Sequence, residues 1–194
     1  MKAKGAMSLS QDQAAESLKE IDRTSRRSAS AYSYAHTSPY LMLWGVIWMV
    51  GYSASDTGLR LANWLWLGLL VIGVAGNTLI GRRQALSGPP QAWLRHPALR
   101  FFATFFAVWM FIGATYAIFG HAGARQQAAF VPLIVALIYV VMGIWKGPRF
   151  LVMGIALAGL TLGGFFFLKD HFLLWMGMVG GGALLLGGFW MKTI

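Results

Sequence analysis

Residues 150–168 read FLVMGIALAGLTLGGFFFL, a run of nineteen residues without a charged side chain. At about 1.5 Å per residue, a helix of this length reaches about 28 Å, close to the thickness of the hydrocarbon core of a bilayer. A soluble domain rarely contains such a run, because it would expose a large apolar surface to water. This stretch therefore predicts a membrane-spanning helix.

Five further uncharged stretches surround this one. The predicted spans, in chain order, are residues 40–54, 62–80, 101–119, 128–145, 150–168 and 172–191. The composition agrees, since 57% of the residues are hydrophobic and only 11% are charged, against about 25% charged residues in soluble domains. The sequence predicts an all-α membrane protein of six transmembrane helices, arranged as three helical hairpins. Proline near the start of the first, third and fifth spans indicates either a repeated hairpin or the common geometry of helix entry.

The basic residues are distributed unequally between the two sides that these spans define. Thirteen of the sixteen Lys and Arg lie in the N-terminal segment, the second and fourth connections and the C-terminus, and three lie in the other connections. Cytoplasmic loops carry an excess of Lys and Arg, so both termini are predicted to be cytoplasmic. Topology and attraction to anionic headgroups account for the net charge of +10, so no nucleic-acid partner is predicted.

The polar start of the chain predicts a separate unit. Residues 1–38 are expected to form a cytoplasmic segment with an amphipathic helix that ends before Pro39, followed by the transmembrane domain at 39–194. One interpretation places this helix on the inner leaflet, with its arginines near lipid phosphates. The other is a docking helix for a cytoplasmic protein or a second copy of the chain. The residues expected at either contact are Leu18, Ile21, Arg23, Arg26 and Arg27.

The first span is short. Its fifteen residues reach only about 22 Å, so the helix must extend back through residues 32–38 or use Tyr40 and Tyr52 as interfacial anchors. A rival interpretation takes the arginine pair at 26–27 as part of a twin-arginine export signal that is cleaved near residue 55. The Trp residues in the supposed hydrophobic region argue against cleavage.

Catalytic side chains are scarce in the spans. The second to sixth spans contain no Ser, Cys, His or carboxylate, so intramembrane proteolysis and a proton relay lack their reactive groups. No enzyme activity and no cofactor are predicted. Asn63 and Asn77 are fourteen residues apart, close to four helical turns, and are expected to share one face that marks a narrow polar path.

Two weaker patterns concern the connections and the helix contacts. Imidazole and carboxylate groups on the predicted outer side, suited to Zn²⁺, Cu²⁺ or pH sensing but without ligand spacing, are Asp56, His121, Asp170 and His171. Solvated loop residues are the simpler interpretation of that group. Small residues at four-residue spacing, which predict tight packing between the fifth and sixth spans, are Gly159, Gly163, Gly177 and Gly181.

Residues 38–52, which read SPYLMLWGVIWMVGY, follow a charged helix. This arrangement, with Pro-x-x-x-x-Trp-Gly opening the first span, resembles a group of small bacterial multi-pass membrane proteins over roughly the first third of the chain. The resemblance implies a location in the bacterial inner membrane and implies no activity. The function expected from the sequence is that of a non-enzymatic scaffold or regulator, and the alternative is a small transporter or channel for an uncharged or apolar solute.

Overall fold

The computed structural model describes residues 11–58, 61–87, 97–120 and 123–193. These residues form long helices joined by short connections, and none of them lies in a strand. The helices are α1 (Gln11–Asp56), α2 (Ala62–Ser87), α3 (Pro97–Phe119), α4 (Ala124–Lys146), α5 (Pro148–Phe167) and α6 (Phe172–Lys192), the last with a π-helical turn at Met176–Gly181.

The apolar surface of this fold faces outward as well as inward. By length and composition, four helices are able to cross a membrane: Ala62–Leu86 of α2 and the whole of α4, α5 and α6. In α3 the described stretch Phe106–Phe119 is apolar. Large side chains such as Phe167 and Leu186 are exposed on the outside. Since the charged residues of these helices lie near the helix ends, the apolar faces indicate contact with a lipid bilayer.

Helix α1 is continuous over 46 residues and contains Pro39 in its interior. The prediction that the first helix ends before Pro39 is wrong. Proline lacks the N–H of a normal helical hydrogen bond and loosens the turn before it. In that turn the His36 carbonyl accepts a hydrogen bond of 2.9 Å from the Gln84 amide of α2, and the Ser38 hydroxyl donates one of 2.7 Å to the Gly188 carbonyl of α6. Contacts from two neighbouring helices therefore stabilise the helix across the proline.

The second half of α1 lies in the core of the helix bundle. Leu41, Ile47 and Trp48 are buried there together with Leu157 of α5 and Leu184 of α6. Helix α2 packs on one side of α1, where Trp44 and Ile47 meet Gly73. Helix α6 packs along another side over most of its length. The span that the sequence predicts to be the weakest is thus the central helix of the fold.

The closest helix pairs differ from the predicted hairpins. Helices α4 and α5 pack most tightly among neighbours in sequence: Gly143 lies against Leu151, and Gly154 lies against Ala136 and Val140. The other close pair is α1 with α6, which are far apart in the chain. Of the predicted pairs, the first helix with the second and the fifth with the sixth are in contact, but neither is among the closest pairs in the described part of the chain.

The predicted glycine contact between the fifth and sixth spans is also wrong. Gly159 and Gly163 of α5 face open space, with no atom within 4 Å of where a Cβ would lie. Gly177 and Gly181 of α6 instead pack on α1. Four-residue spacing of small residues identifies a face on which backbones come close, but it does not identify the partner helix.

Candidate functional site

The first half of α1 extends away from the bundle. Tyr34 is the first buried residue of the helix, and the residues before it are exposed or partly exposed wherever the structure describes their side chains. We call residues 11–33 the projecting segment. Its two large aliphatic side chains, Leu18 and Ile21, are 67% and 65% exposed. Exposed aliphatic side chains on a helix outside the bundle indicate a surface suited to contact with another molecule.

The charges of the projecting segment balance. Its acidic residues are Asp12, Glu16, Glu20 and Asp22, and its basic residues are Lys19, Arg23, Arg26 and Arg27. The side chains of Arg23 and Arg27 are exposed, and that of Arg26 lies outside what the structure describes. With Lys2 and Lys4 counted, residues 1–33 carry six basic and four acidic side chains, a small net positive charge. Attraction to an anionic membrane surface grows with net positive charge, so the charge of this segment supports only a weak headgroup contact.

Tyr34 anchors the projecting segment to the bundle. Its hydroxyl accepts a hydrogen bond of 3.3 Å from the backbone N–H of Arg149 at the start of α5. Next to it, Gly147 joins α4 to α5 with a φ of 136°, and a Cβ at this position would meet the Tyr34 hydroxyl. Glycine is therefore required at residue 147 both for its backbone angle and for the close approach of α1.

Arg149 connects the anchor to the end of α6. Its guanidinium donates a hydrogen bond of 2.7 Å to the Trp190 carbonyl. The same group lies 4.9 Å from the centre of the Trp190 ring and 5.5 Å from that of Tyr34. A planar guanidinium stacks on aromatic rings while it donates in its own plane. The junction between the projecting segment and the bundle is thus held by α1, α5 and α6 together.

On the bundle side of this junction, α1 and α6 run antiparallel in close contact. A Cβ added to Gly181 would lie 2.8 Å from the Gly45 carbonyl oxygen and 2.9 Å from the Met49 nitrogen, so backbone packs on backbone. One turn further, Gly177 faces Ser53. The π-helical turn Met176–Gly181 includes both of these glycines. A π-helical turn contains one extra residue, which rotates the side chains that follow it around the helix axis. In α6 this turn lies where the helix contacts α1.

At the opposite end of α1, Asp56 lies beside the first turn of α6. Its carboxylate accepts a hydrogen bond of 3.3 Å from the Leu174 backbone N–H and lies 3.9 Å from Nδ1 of His171. A negative charge at a helix N-terminus is favourable. Of the predicted outer group, Asp170 is exposed and His121 lies outside the described residues. Within the described part of the chain no three His, Cys, Asp or Glu side chains are placed to hold a metal ion.

The two asparagines of α2 differ in their surroundings. Asn63 is exposed near the start of the helix. Asn77 is buried, and its Oδ1 has no hydrogen-bond partner. A continuous polar path needs both groups to line one interior, and the structure brings only one of them inside.

The sequence does not predict which residues position α1. Tyr34 and Arg149 are 115 positions apart, and neither belongs to a motif. Gly147 carried a usable signal, because a lone glycine between two apolar helices and directly before a proline is typical of a tight turn. Gly45 belongs to the Leu-Trp-Gly stretch, but nothing near it in sequence indicates that α6 is its neighbour.

Comparison of the chain with protein-family models, with curated proteins and with solved structures finds no match. The functional interpretation therefore depends on the geometry of α1 and its contacts.

Proposed function

We propose that this chain is a non-enzymatic scaffold or regulator in the bacterial inner membrane, which binds a cytoplasmic protein through the projecting segment of α1. The proposal includes six membrane spans with both termini in the cytoplasm. The observation that carries it is the continuity of α1, since one helix joins an exposed segment in water to the core of an apolar bundle. A protein bound to the projecting segment is thereby held directly by that core.

The arrangement of the helix ends supports the proposed orientation. Arg149 bonds Trp190 and approaches Tyr34 at the end of the bundle from which the segment projects. Asp56 and Leu174 meet at the other end. The connections at the first end are those rich in Lys and Arg, so the positive-inside rule favours the cytoplasm for that end and for the projecting segment.

The segment has the character of a docking helix. Its charged residues remain in water, and its aliphatic residues are not used by the bundle. A partner with complementary charges would contact Arg23 and Arg27, which are exposed about one helical turn apart. Affinity in such a contact comes from a few buried side chains, and charge complementarity provides specificity.

A truncation tests this proposal. Removal of residues 1–27 leaves Tyr34 and its bond to Arg149 in place, so the bundle is expected to insert and fold normally. Purification of the full and the shortened chain in mild detergent, followed by mass spectrometry, should show a cytoplasmic protein bound only to the full chain. Capture of the same proteins by both chains would contradict the proposal. A truncation through residue 36 is unsuitable, because it removes Tyr34 and weakens the bundle itself.

A charge reversal provides a finer version of the test. The double variant Arg23→Glu with Arg27→Glu should lose the partner, because two contacts become repulsive. The matched control is Ser17→Ala with Thr24→Ala, two uncharged exposed positions of the same segment, and this variant should keep the partner. Equal capture by both double variants would exclude a contact through the arginines.

The buried side-chain oxygen of Asn77, which has no hydrogen-bond partner, favours a second candidate function, the transport of an uncharged or apolar solute. A buried polar group without a hydrogen-bond partner costs free energy, and in membrane helices such groups often line a path for a solute. Flux through the purified protein in vesicles should then be lost in Asn77→Leu while the thermal stability stays the same or rises. Wild-type flux in Asn77→Leu and Asn63→Leu would remove this candidate.

A further inference from the structure

One face of α1 carries a stripe of exposed apolar residues, three in the projecting segment and two in the bundle. The stripe consists of the five exposed large hydrophobic residues of α1 in the described part of the chain: Leu18, Ile21, Tyr32, Val46 and Val50. At 100° per residue these positions fall within about 80° of the helix circumference, and they span about 48 Å along the axis.

The charged residues of the projecting segment occupy a different sector. The eight acidic and basic positions between 12 and 27 fall within about 160° on the other side of the helix, and none overlaps the stripe. Ser25 and Ser28 lie within the stripe and are small, so they permit a second helix to approach closely. In the projecting segment the sequence therefore separates an uncharged contact face from a charged face.

In the bundle the same face stays open between two neighbouring helices. Leu43 falls within the sector of the stripe and packs against Gly76 of α2, so α2 covers that edge of the stripe in the bundle. Met42 lies just outside the other edge and packs against Gly188 of α6. Val46 and Val50 lie between these contacts and remain exposed. The packing of α2 and α6 and the placement of Leu18 and Ile21 are independent features of the chain, yet both leave the same side of α1 uncovered.

We infer that this stripe is a dimer interface and that its occupant is the α1 helix of a second copy, running parallel. An occupant of the whole stripe must itself pass from water into lipid in the same direction as α1. Copies in one membrane are related by rotation about the membrane normal, which places identical residues at equal depth. Parallel pairing brings no Asp, Glu, Lys or Arg together, and the one ionisable side chain at the edge of the stripe is the imidazole of His36.

The spacing along the stripe fits a parallel pair. Leu18, Tyr32 and Val46 are separated by fourteen residues each, which is two heptads, and Ile21 follows Leu18 by three. Apolar residues at three- and four-residue steps form the seam of left-handed helix pairs. This inference rests on the proposed function, because both use the projecting segment. It adds that the projecting segments of two copies pair along the stripe, with their charged faces turned outward toward the cytoplasmic partner.

Cysteine cross-linking in native membranes tests the pair without knowledge of any partner. The chain has no Cys, so each single variant of the full chain has one thiol. Leu18→Cys and Val46→Cys probe the stripe in water and in lipid. Lys19→Cys, in the charged sector, and Leu137→Cys, on the exposed face of α4, are the matched controls.

Oxidation should convert both stripe variants from 21.3 kDa to a species of twice that mass. We expect about tenfold more of this dimer than in the controls, because paired thiols have a high effective concentration. Equal yields in stripe and control variants would overturn the inference. A dimer from only one of the two stripe variants would also overturn it, since the interface would then stop at the membrane surface.

A mass measurement in nanodiscs gives an independent check. The wild-type chain should be dimeric, and Leu18→Glu with Ile21→Glu should shift it to the monomer. The outcome is separable from that of the proposed function: a monomeric wild-type chain that still captures a cytoplasmic protein overturns only the dimer. A dimer whose truncated form captures the same proteins as the full chain overturns only the docking proposal.

Discussion

The hydroxyl of Tyr52 on α1 donates a hydrogen bond of 3.0 Å to the backbone carbonyl of Ala128 on α4. Pro132, four residues after Ala128, has no N–H with which to complete the normal helical hydrogen bond to that carbonyl. A buried carbonyl left without a donor costs about 1–3 kcal/mol. A side chain of one helix thus supplies the donor that a proline removes from another.

This relationship predicts a specific pattern of stability. Tyr52→Phe should lower the free energy of unfolding by about 1 kcal/mol, because the carbonyl loses its donor. Pro132→Ala should reduce that loss, since the new backbone N–H serves the same carbonyl. Thermal denaturation of the two single variants and the double variant in detergent gives the coupling. Tyr116→Phe is the control, because the buried Tyr116 hydroxyl has no partner to lose, and additive effects would contradict the pairing.

The close approach of α6 to α1 predicts a contrast between adjacent glycines. Gly181→Ala should lower the free energy of unfolding by about 2 kcal/mol, because the added methyl meets backbone atoms of Gly45 and Met49 that have no room to move. Gly182→Ala, where nothing lies within 4 Å, should be neutral or raise stability by about 0.5 kcal/mol through helix propensity. Denaturation curves of the two variants provide the test, and equal effects would show that the helices are not in backbone contact.

The Arg149 contacts predict that lysine is a poor substitute. Arg149→Lys keeps the charge but loses the stacking on Trp190 and the in-plane geometry of the bond to its carbonyl, so stability should fall by about 1 kcal/mol. Lys146→Arg, at an exposed position in the same connection, should change it by less than about 0.5 kcal/mol. Melting temperatures in one detergent allow the comparison. An unaffected Arg149→Lys variant would mean that charge alone matters at this junction.

The contact of Asp56 with the first turn of α6 predicts that the carboxylate matters more than its neighbouring imidazole. Asp56→Ala should cost about 1 kcal/mol, because the Leu174 N–H loses its acceptor and the helix end loses a negative charge. His171 is 72% exposed on its side chain, so His171→Gln should cost less than about 0.5 kcal/mol. Chemical denaturation of both variants decides the matter, and equal losses would identify an ion pair as the main interaction.

Several expectations from the sequence depend on local properties, and these hold. The apolar helices that α2, α4, α5 and α6 form lie where uncharged runs predict spans. Length and hydropathy suffice for such features, because a backbone in lipid satisfies its hydrogen bonds within the helix. The lengthening of the short first span toward residue 32, or its anchoring by tyrosines, stays a prediction.

Other expectations failed where a residue's role depends on a distant segment. Local propensity predicts that the helix breaks at Pro39, but the helix continues. Hydrogen bonds from Gln84 and to Gly188, which lie 48 and 150 positions from the groups they bond, stabilise it there. The glycines of α6 were correctly identified as a close-packing face, but their partner is α1 and not α5. Four-residue spacing of glycines does not indicate the shape of the helix surface that packs against them.

The sequence by itself determined that this chain is helical, apolar and asymmetric in its basic residues, because these properties depend only on composition and on order along the chain. Tertiary structure alone decided that α1 is the central helix, that α6 lies antiparallel against it through Gly177 and Gly181, and that the apolar residues from Leu18 to Val50 on one side of α1 stay exposed. The physical reason is that helix pairing in a membrane depends on the fit between two surfaces. That fit arises only when segments far apart in the chain come together.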